Sequence, residues 1–298
     1  MTITTQLKGG LGNQLFQYAF AKAISINNSQ PLAINCHWYR NTPSHLTPRT
    51  LLLEHLRIDS LKVIDSAWPP LFSALNFFLS LLPFSPIIFD RNTHFFDIKL
   101  FDRKFPSNRH FAFVGYWQSF KYFAHIRPLL LEEFQAKKPI NEYYSKYSAA
   151  ITATDSVMIH IRRSDFVNLK SAKDHHGALA LSYYLKAIGI INEQIHSPHF
   201  FIFSDDIAWA QANLPQELPA TFIHSDTSED AVIQELQLMR LCNHHIIANS
   251  SLSWWGAWLA IQNNESIKIC PDRWLKGKEI DLDDLLPSNW TRLAATLL

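Results

Sequence analysis

Apolar residues in the second half of the chain fall in short unbroken runs: 156–161 (SVMIHI), 199–203 (HFFIF), 220–224 (ATFIH), 245–249 (HIIAN) and 266–270 (SIKIC). Runs this short, rich in β-branched and aromatic residues, predict strands buried on both faces. Between them, apolar residues recur at helical spacing over about 182–194, 206–212, 229–242 and 254–262. Strands alternating with helices predict a parallel sheet covered on both sides. The first half opens the same way. A β-branched strand over 2–7 leads into Lys8-Gly9-Gly10-Leu11-Gly12-Asn13-Gln14, then into a helix carrying Leu15, Tyr18, Ala19, Ala23 and Ile26 on one face. Further strands are predicted at 31–36 (PLAINC) and 111–115 (FAFVG), with a helix over about 120–135 and a polar approach to a linker at 137–141.

The chain has 298 residues, room for two domains of about 150, and its charge splits between them. Residues 1–150 hold 16 Lys and Arg against 9 Asp and Glu, while residues 151–298 hold 11 against 17. A basic half suits an anionic substrate or a membrane surface. Its dispersed cations argue against nucleic acid. Cys36, Cys242 and Cys270 lie far apart, an odd number without metal-ligand spacing, which fits a reducing cytosol. The N-terminus runs straight into a strand, so no signal peptide is expected. Residues 69–89 are almost uncharged. A helix between Pro70 and Pro83 would span roughly 18 Å, short of the roughly 30 Å bilayer core. It reads as a buried helix, with peripheral membrane docking or a subunit contact as alternatives.

Three of the eight glycines stand at 9, 10 and 12. A strand, a glycine turn and a helix N-terminus leave backbone N–H groups for an anion or a sugar, or make only a tight turn. A dinucleotide fingerprint fails here. Leu15 stands where the third glycine belongs, and no acid follows the second strand until Glu54. In the second half three strand ends carry chemistry. The first is His160-Ile161-Arg162-Arg163-Ser164-Asp165, whose adjacent guanidinium groups suit phosphate oxygens or structural pairing to Asp165 and another acid. Ser204-Asp205-Asp206 could hold guanine or ribose, cap the next helix, or divide those tasks. Asn249-Ser250-Ser251-Leu252-Ser253 could cradle an anion or cap a helix. Ligands bind at the carboxyl ends of parallel strands, so the three sets together point to a nucleotide diphosphate. The Tyr116-Trp117-Gln118 stretch offers rings for sugar stacking or for the core. Asp281-Leu282-Asp283 has metal-holding spacing but follows no clear strand, and no serine-hydrolase elbow or Walker motif occurs.

With those residues in hand, the sequence resembles glycosyltransferase family 11, the α-1,2-fucosyltransferases, especially the bacterial members. The resemblance lies in Gly9 to Ala19, in His160-Ile161-Arg162-Arg163-x-Asp165, in Phe203-Ser204-Asp205-Asp206 and in Ile247 to Trp258. It implies an α/β fold of GT-B type, two Rossmann-like domains with parallel sheets facing a cleft. The expected divisions are 1–150 for an acceptor-side domain, 151–275 for a GDP-fucose-binding domain, and 276–298 for a tail packed on the body. Residues 37–110 match no motif and would set acceptor preference.

The implied reaction is inverting transfer of L-fucose from GDP-β-L-fucose to the 2-hydroxyl of a galactose, with no required metal or other cofactor. By the resemblance Arg162 and Arg163 hold the diphosphate, and His160 and Asp205 hold ribose or guanine. Asn249, Ser250, Ser251 and Ser253 line the phosphate side. Asn13 and the Gly10 and Gly12 backbone reach the β-phosphate and fucose. Asp165 and His176 are the candidate general bases. The acceptor would be a galactose-terminated oligosaccharide or lipid-linked glycan of a bacterial surface polysaccharide such as O-antigen. The enzyme would be cytoplasmic, with possible peripheral contact to the inner membrane. A transferase using another nucleotide sugar and a non-catalytic nucleotide-sugar-binding subunit are the competing readings.

Overall fold

The computed structural model describes residues 2–40, 48–59, 61–65, 86–90, 92–163, 177–261, 265–277 and 280–298. Asp165, His176 and most of the uncharged 69–89 stretch therefore lie outside the described residues. The chain divides into two compact units, Met1–Gln135 and Ala136–Leu298.

In the first unit the strands are β1 (Ile3–Gln6), β2 (Leu32–Asn35), β3 (Lys62–Ile64), β4 (Ile87–Phe89) and β5 (Phe111–Val114). They lie in the order β3-β2-β1-β5-β4, every pair parallel. Helix α1 (Leu11–Asn27) follows β1 and buries Leu15, Phe16, Ala19, Phe20 and Ala23. The helix begins at Leu11 rather than Leu15, so Gly12 and Asn13 lie inside its first turn. A short helix, α2 (Ile98–Phe101), precedes β5. The helix expected over 120–135 is a pair of 3-10 turns followed by α3 (Arg127–Glu133). Pro128 sets this start, because it fits a first helical turn and not an interior. Tyr18 and Lys22 of α1 both reach the buried Glu133 carboxylate, at 2.9 and 2.6 Å, fastening α3 to α1. Burial and the Glu133 charge push the Tyr18 phenol pKa well up.

The second unit begins earlier than the expected boundary at 150. Its first helix, α4 (Glu142–Thr152), is too polar to announce itself by periodicity. Asn141 caps it by accepting from the Tyr144 amide at 3.0 Å. Tyr144 is buried within this unit, donating to Glu235 and accepting from the Asp226 amide, so the helix belongs here.

Beyond α4 run β6 (Ser156–Ile161), α5 (Leu181–Gln194), β7 (His199–Ser204), α6 (Ile207–Asn213), β8 (Ala220–Ile223) and α7 (Ala231–Leu241). They are followed by β9 (His244–Ile246), α8 (Ser251–Trp258), β10 (Lys268–Pro271) and β11 (Thr291–Leu293). All six strands are parallel, in the order β11-β10-β9-β6-β7-β8. One core joins Val157, Ile159, Ile161, Phe200 and Ile202 of the sheet to Tyr183, Ala187 and Ile191 of α5. Trp254 of α8 packs against Trp290 and donates its indole N–H to the Leu285 carbonyl. The C-terminal tail thus supplies the edge strand β11.

Progress through the second sheet reverses between β6 and β9, whereas in the first sheet β4 to β5 steps the same way as β1 to β2 to β3. The β6/β9 boundary is a topological switch point, where adjacent loops part and leave a crevice at the carboxyl ends of the strands.

Candidate active site

At this switch point the end of β6 delivers His160, Arg162 and Arg163. His160 is 5% exposed, and its Nδ1 is buried without a hydrogen-bond partner. Burial, reinforced by the Arg162 charge, pulls the imidazole pKa down to about 3, so the ring is neutral. A buried polar nitrogen without a partner is expensive unless a ligand supplies one.

The arginines are held by the next strand end. Arg162 Nη1 lies 3.1 Å from Asp205 Oδ2, and the Arg163 amide donates to Asp205 Oδ1 at 2.8 Å. Arg163 Nε is 3.5 Å from Asp206 Oδ2, and its guanidinium lies 4.0 Å over the Trp209 ring. Asp206 also caps α6 through the Trp209 amide at 3.1 Å. Both aspartates therefore serve the arginine turn. Asp205, expected on guanine or ribose, engages each oxygen with that turn. The acid expected to pair with the arginines beside Asp165 is supplied by the Asp205-Asp206 dipeptide. Trp209 escaped the sequence reading because an aromatic on a short amphipathic helix reads as core.

The β9 end is a mixed set. Asn249 is buried and donates from Nδ2 to the carbonyls of Gly177 and Trp274, both at 3.2 Å, so it ties loops together. Ser253 is buried, its hydroxyl turned back to the carbonyls of Ala248 and Ser250 at 3.3 and 3.1 Å. Ser250 is the N-cap residue of α8, but its hydroxyl makes no capping hydrogen bond. Ser250 and Ser251, with the first-turn amides of α8, are thus the members of this set suited to an anion.

In the first sheet the carboxyl end of β1 leads into the glycine turn, beside the carboxyl end of β5. Gly9 has φ +82°, a left-handed conformation that favours glycine, and its carbonyl accepts from Tyr39 Oη at 3.1 Å and Gln14 Nε2 at 3.2 Å. Gln17 holds both backbone groups of Lys8. Gly10 is the N-cap of α1 with no side-chain cap, the first turn carries no acid, and a Cβ added at Gly10 would meet nothing within 4 Å. The N-terminus of α1 is therefore electropositive and sterically open.

From β5 comes the turn Gly115 to Gln118. Asp90 Oδ2 accepts the amides of Tyr116 and Trp117 at 3.1 and 2.9 Å, so close to Gly115 that a Cβ there would fall 2.0 Å from that of Asp90. Trp117 takes φ +53° and is buried, stacked on Phe20 at 4.1 Å. It belongs to the core and not to a sugar platform. Tyr116 carries the Lys8 ammonium 4.2 Å over its ring. Burial lowers the Lys8 pKa against the pull of Asp90, and burial raises that of Asp90 against its amide donors.

Asp281 accepts the Asp283 amide at 2.8 Å, and Asp283 pairs with Arg292 at 2.8 Å. Among the described residues no group of three or more His, Cys, Asp or Glu could hold a metal ion. Among the same residues no helix is long and apolar enough to cross a membrane.

Two all-parallel Rossmann-type sheets, with guanidinium groups and open helix N-termini at the carboxyl ends of their strands, define an α/β glycosyltransferase fold of the GT-B type. The fold is similar to that of POFUT1 in complex with GDP, with a TM-score of 0.52, 14% identity, and coverage of 90% of this chain and 97% of that one. The chain belongs to glycosyl transferase family 11, whose family model matches residues 85–294. It is 32% identical over 297 residues to the alpha-1,2-colitosyltransferase of Escherichia coli, covering 98% of each chain. It is 26% identical over 306 residues to the O-antigen biosynthesis glycosyltransferase WbnK of Escherichia coli, covering 96% of this chain and 99% of WbnK.

Proposed function

We propose that the protein is an inverting α-1,2-fucosyltransferase that moves L-fucose from GDP-β-L-fucose to the 2-hydroxyl of a galactose in a bacterial surface polysaccharide. The observation that carries the reading is the arginine pair at the carboxyl end of β6, pinned by Asp205 and Asp206 at the sheet's switch point. Departure of GDP builds negative charge on a phosphate oxygen. Guanidinium groups already held in place stabilise that charge without reorganising, an effect of about 3–4 kcal/mol for one well-placed donor. In this reading Arg162 takes the β-phosphate side, and Arg163, stacked on Trp209, supports it. Ser250, Ser251 and the α8 amides receive phosphate oxygens. His160 gives its unpartnered nitrogen to the nucleoside. Gly10, Gly12 and Asn13 serve the sugar-phosphate part. Asp165 or His176 would deprotonate the acceptor hydroxyl, a contribution of about 10²–10⁴ in rate. The guanidinium groups take the place of a divalent metal.

Family membership and the name of the O-antigen relative support the donor class and the acceptor class. The assay is transfer from labelled GDP-fucose to β-galactosides by folded protein. Absence of both transfer and donor hydrolysis would end the proposal. A second reading follows from the relative matched along its whole length at 32% identity, whose name gives colitose as the sugar moved. Colitose is fucose without its 3-hydroxyl, so GDP-colitose fits the same phosphate and guanine contacts. Ranking kcat/KM for the two donors decides between them. A site that hydrogen-bonds the 3-hydroxyl would reject colitose by far more than a site that merely tolerates it.

A further inference from the structure

The turn after β5 determines which end of the Asn13 amide is already engaged. Gln118 Nε2 donates to Asn13 Oδ1 at 2.8 Å, and Gln118 Oε1 stands 3.1 Å from His94 Nε2, where a carbonyl oxygen must accept. The direction of donation therefore runs His94 to Gln118 to Asn13. It is held at its middle by backbone, since the Gln118 amide donates to the Thr93 carbonyl at 2.7 Å and Asp90 clamps the two residues before it. The other end of the Asn13 amide lies over bare backbone: a Cβ on Gly9 would stand 2.7 Å from Asn13 Nδ2.

We infer that Gln118 is a positioning residue that orients Asn13 as a hydrogen-bond donor, so that Asn13 meets an anionic oxygen acceptor, the diphosphate of the nucleotide sugar. An asparagine free to flip could offer a carbonyl or an amino group equally well. With Oδ1 accepting from Gln118, the amide is fixed with its Nδ2 protons as the donors on the other side, and these suit phosphate oxygens. The inference rests on the nucleotide-sugar reading above and adds to it the residue that sets the polarity of the contact.

The test measures GDP and GDP-fucose affinity by calorimetry, with thermal melts to establish folding, for wild type, Q118M, Q118E, N13A and the double variant N13A/Q118M. Q118M fills the same space without a hydrogen bond, and should weaken GDP binding by about tenfold, the scale of one hydrogen bond to a charged group. Q118E should lose more, because a carboxylate can only accept and turns Nδ2 toward itself. In the N13A background Q118M should change affinity less than about twofold, since a residue acting through a partner adds nothing once the partner is gone. GDP affinity unchanged in folded Q118M overturns the inference, as does an equal loss in the N13A background. A loss seen with GDP-fucose but not with GDP overturns the assignment to the diphosphate. Wild-type protein that binds no guanosine nucleotide removes the underlying proposal and this inference with it.

Discussion

Arg162 and His160 sit two residues apart at the end of β6, yet the chain treats them oppositely. The guanidinium is partly exposed and ion-paired, whereas the imidazole is buried and neutral. Replacing Arg162 with alanine should cut transfer by about 10²–10³, the cost of removing one preoriented donor to a developing charge. The melting temperature should stay within a few degrees, because a partly exposed ion pair contributes at most about 1 kcal/mol. A variant that unfolds with activity per folded molecule intact would make Arg162 a structural residue.

The histidines predict an acid response. Burial holds both His160 and His245 down to about 3. An unfolded chain takes up protons on these rings below about pH 6.5 while the native one does not. Stability from the two groups is therefore complete above that pH and falls as pH drops toward 3, by up to about 1.4 kcal/mol per pH unit for each ring. Urea midpoints at pH 7.5 and 5 should show the loss, and His245→Gln should make the slope shallower by one proton. At this scale Arg162, Arg163, Asn13 and the serines were legible in the sequence as residue types at strand ends. Their partners were not. Nothing local says that Asp205 would engage both arginines, or that Ser253 would be buried while Ser251 is half-buried.

Among the elements, the turn into α1 separates two glycines that look alike in the sequence. Gly9→Ala places a Cβ at φ +82° and 2.7 Å from the Asn13 amide nitrogen, which should cost about 1–2 kcal/mol and displace Asn13. Gly10→Ala meets no atom of the chain and should cost less than about 1 kcal/mol as an N-cap change. If a sugar-phosphate lies against that open N-terminus, Gly10→Ala should nevertheless depress transfer at least as much as Gly9→Ala. Thermal melts beside the transfer assay check the contrast, and full activity in Gly10→Ala would remove the ligand from that position. The long apolar strands were legible as elements because burial on both faces leaves an unbroken apolar run. The short edge strands β3, β4 and β11 were missed. Three-residue strands paired on a sheet edge, such as the half-exposed Thr291–Leu293, carry too few residues to impose a pattern.

For the whole molecule, metal independence is the sharpest expectation of the proposed chemistry. Transfer should be unchanged by EDTA and by added Mg²⁺ or Mn²⁺. A requirement for either ion would mean that Arg162 and Arg163 do not supply enough charge to release GDP. The local charge of the arginine pair, set in a half that is acidic as a whole, offers a second lever. Raising ionic strength should raise KM for an anionic donor sugar while leaving kcat nearly unchanged, because screening weakens encounter more than contact inside a site.

The sequence by itself determined the class of the fold and the places where chemistry would gather. Alternation of buried strands with helices admits little else than parallel sheets, and such sheets bring their ligand groups to strand ends. Only the tertiary structure decided what each of those groups touches. It tied Asp205, Asn249 and Ser253 into the surrounding loops, put Trp117 in the core, and left His160 Nδ1 without a partner. It also drew Gln118 onto Asn13, a pair 105 residues apart in sequence. Hydrogen-bond partners across a parallel sheet are set by which strands lie side by side, and that adjacency exists only once the chain has folded.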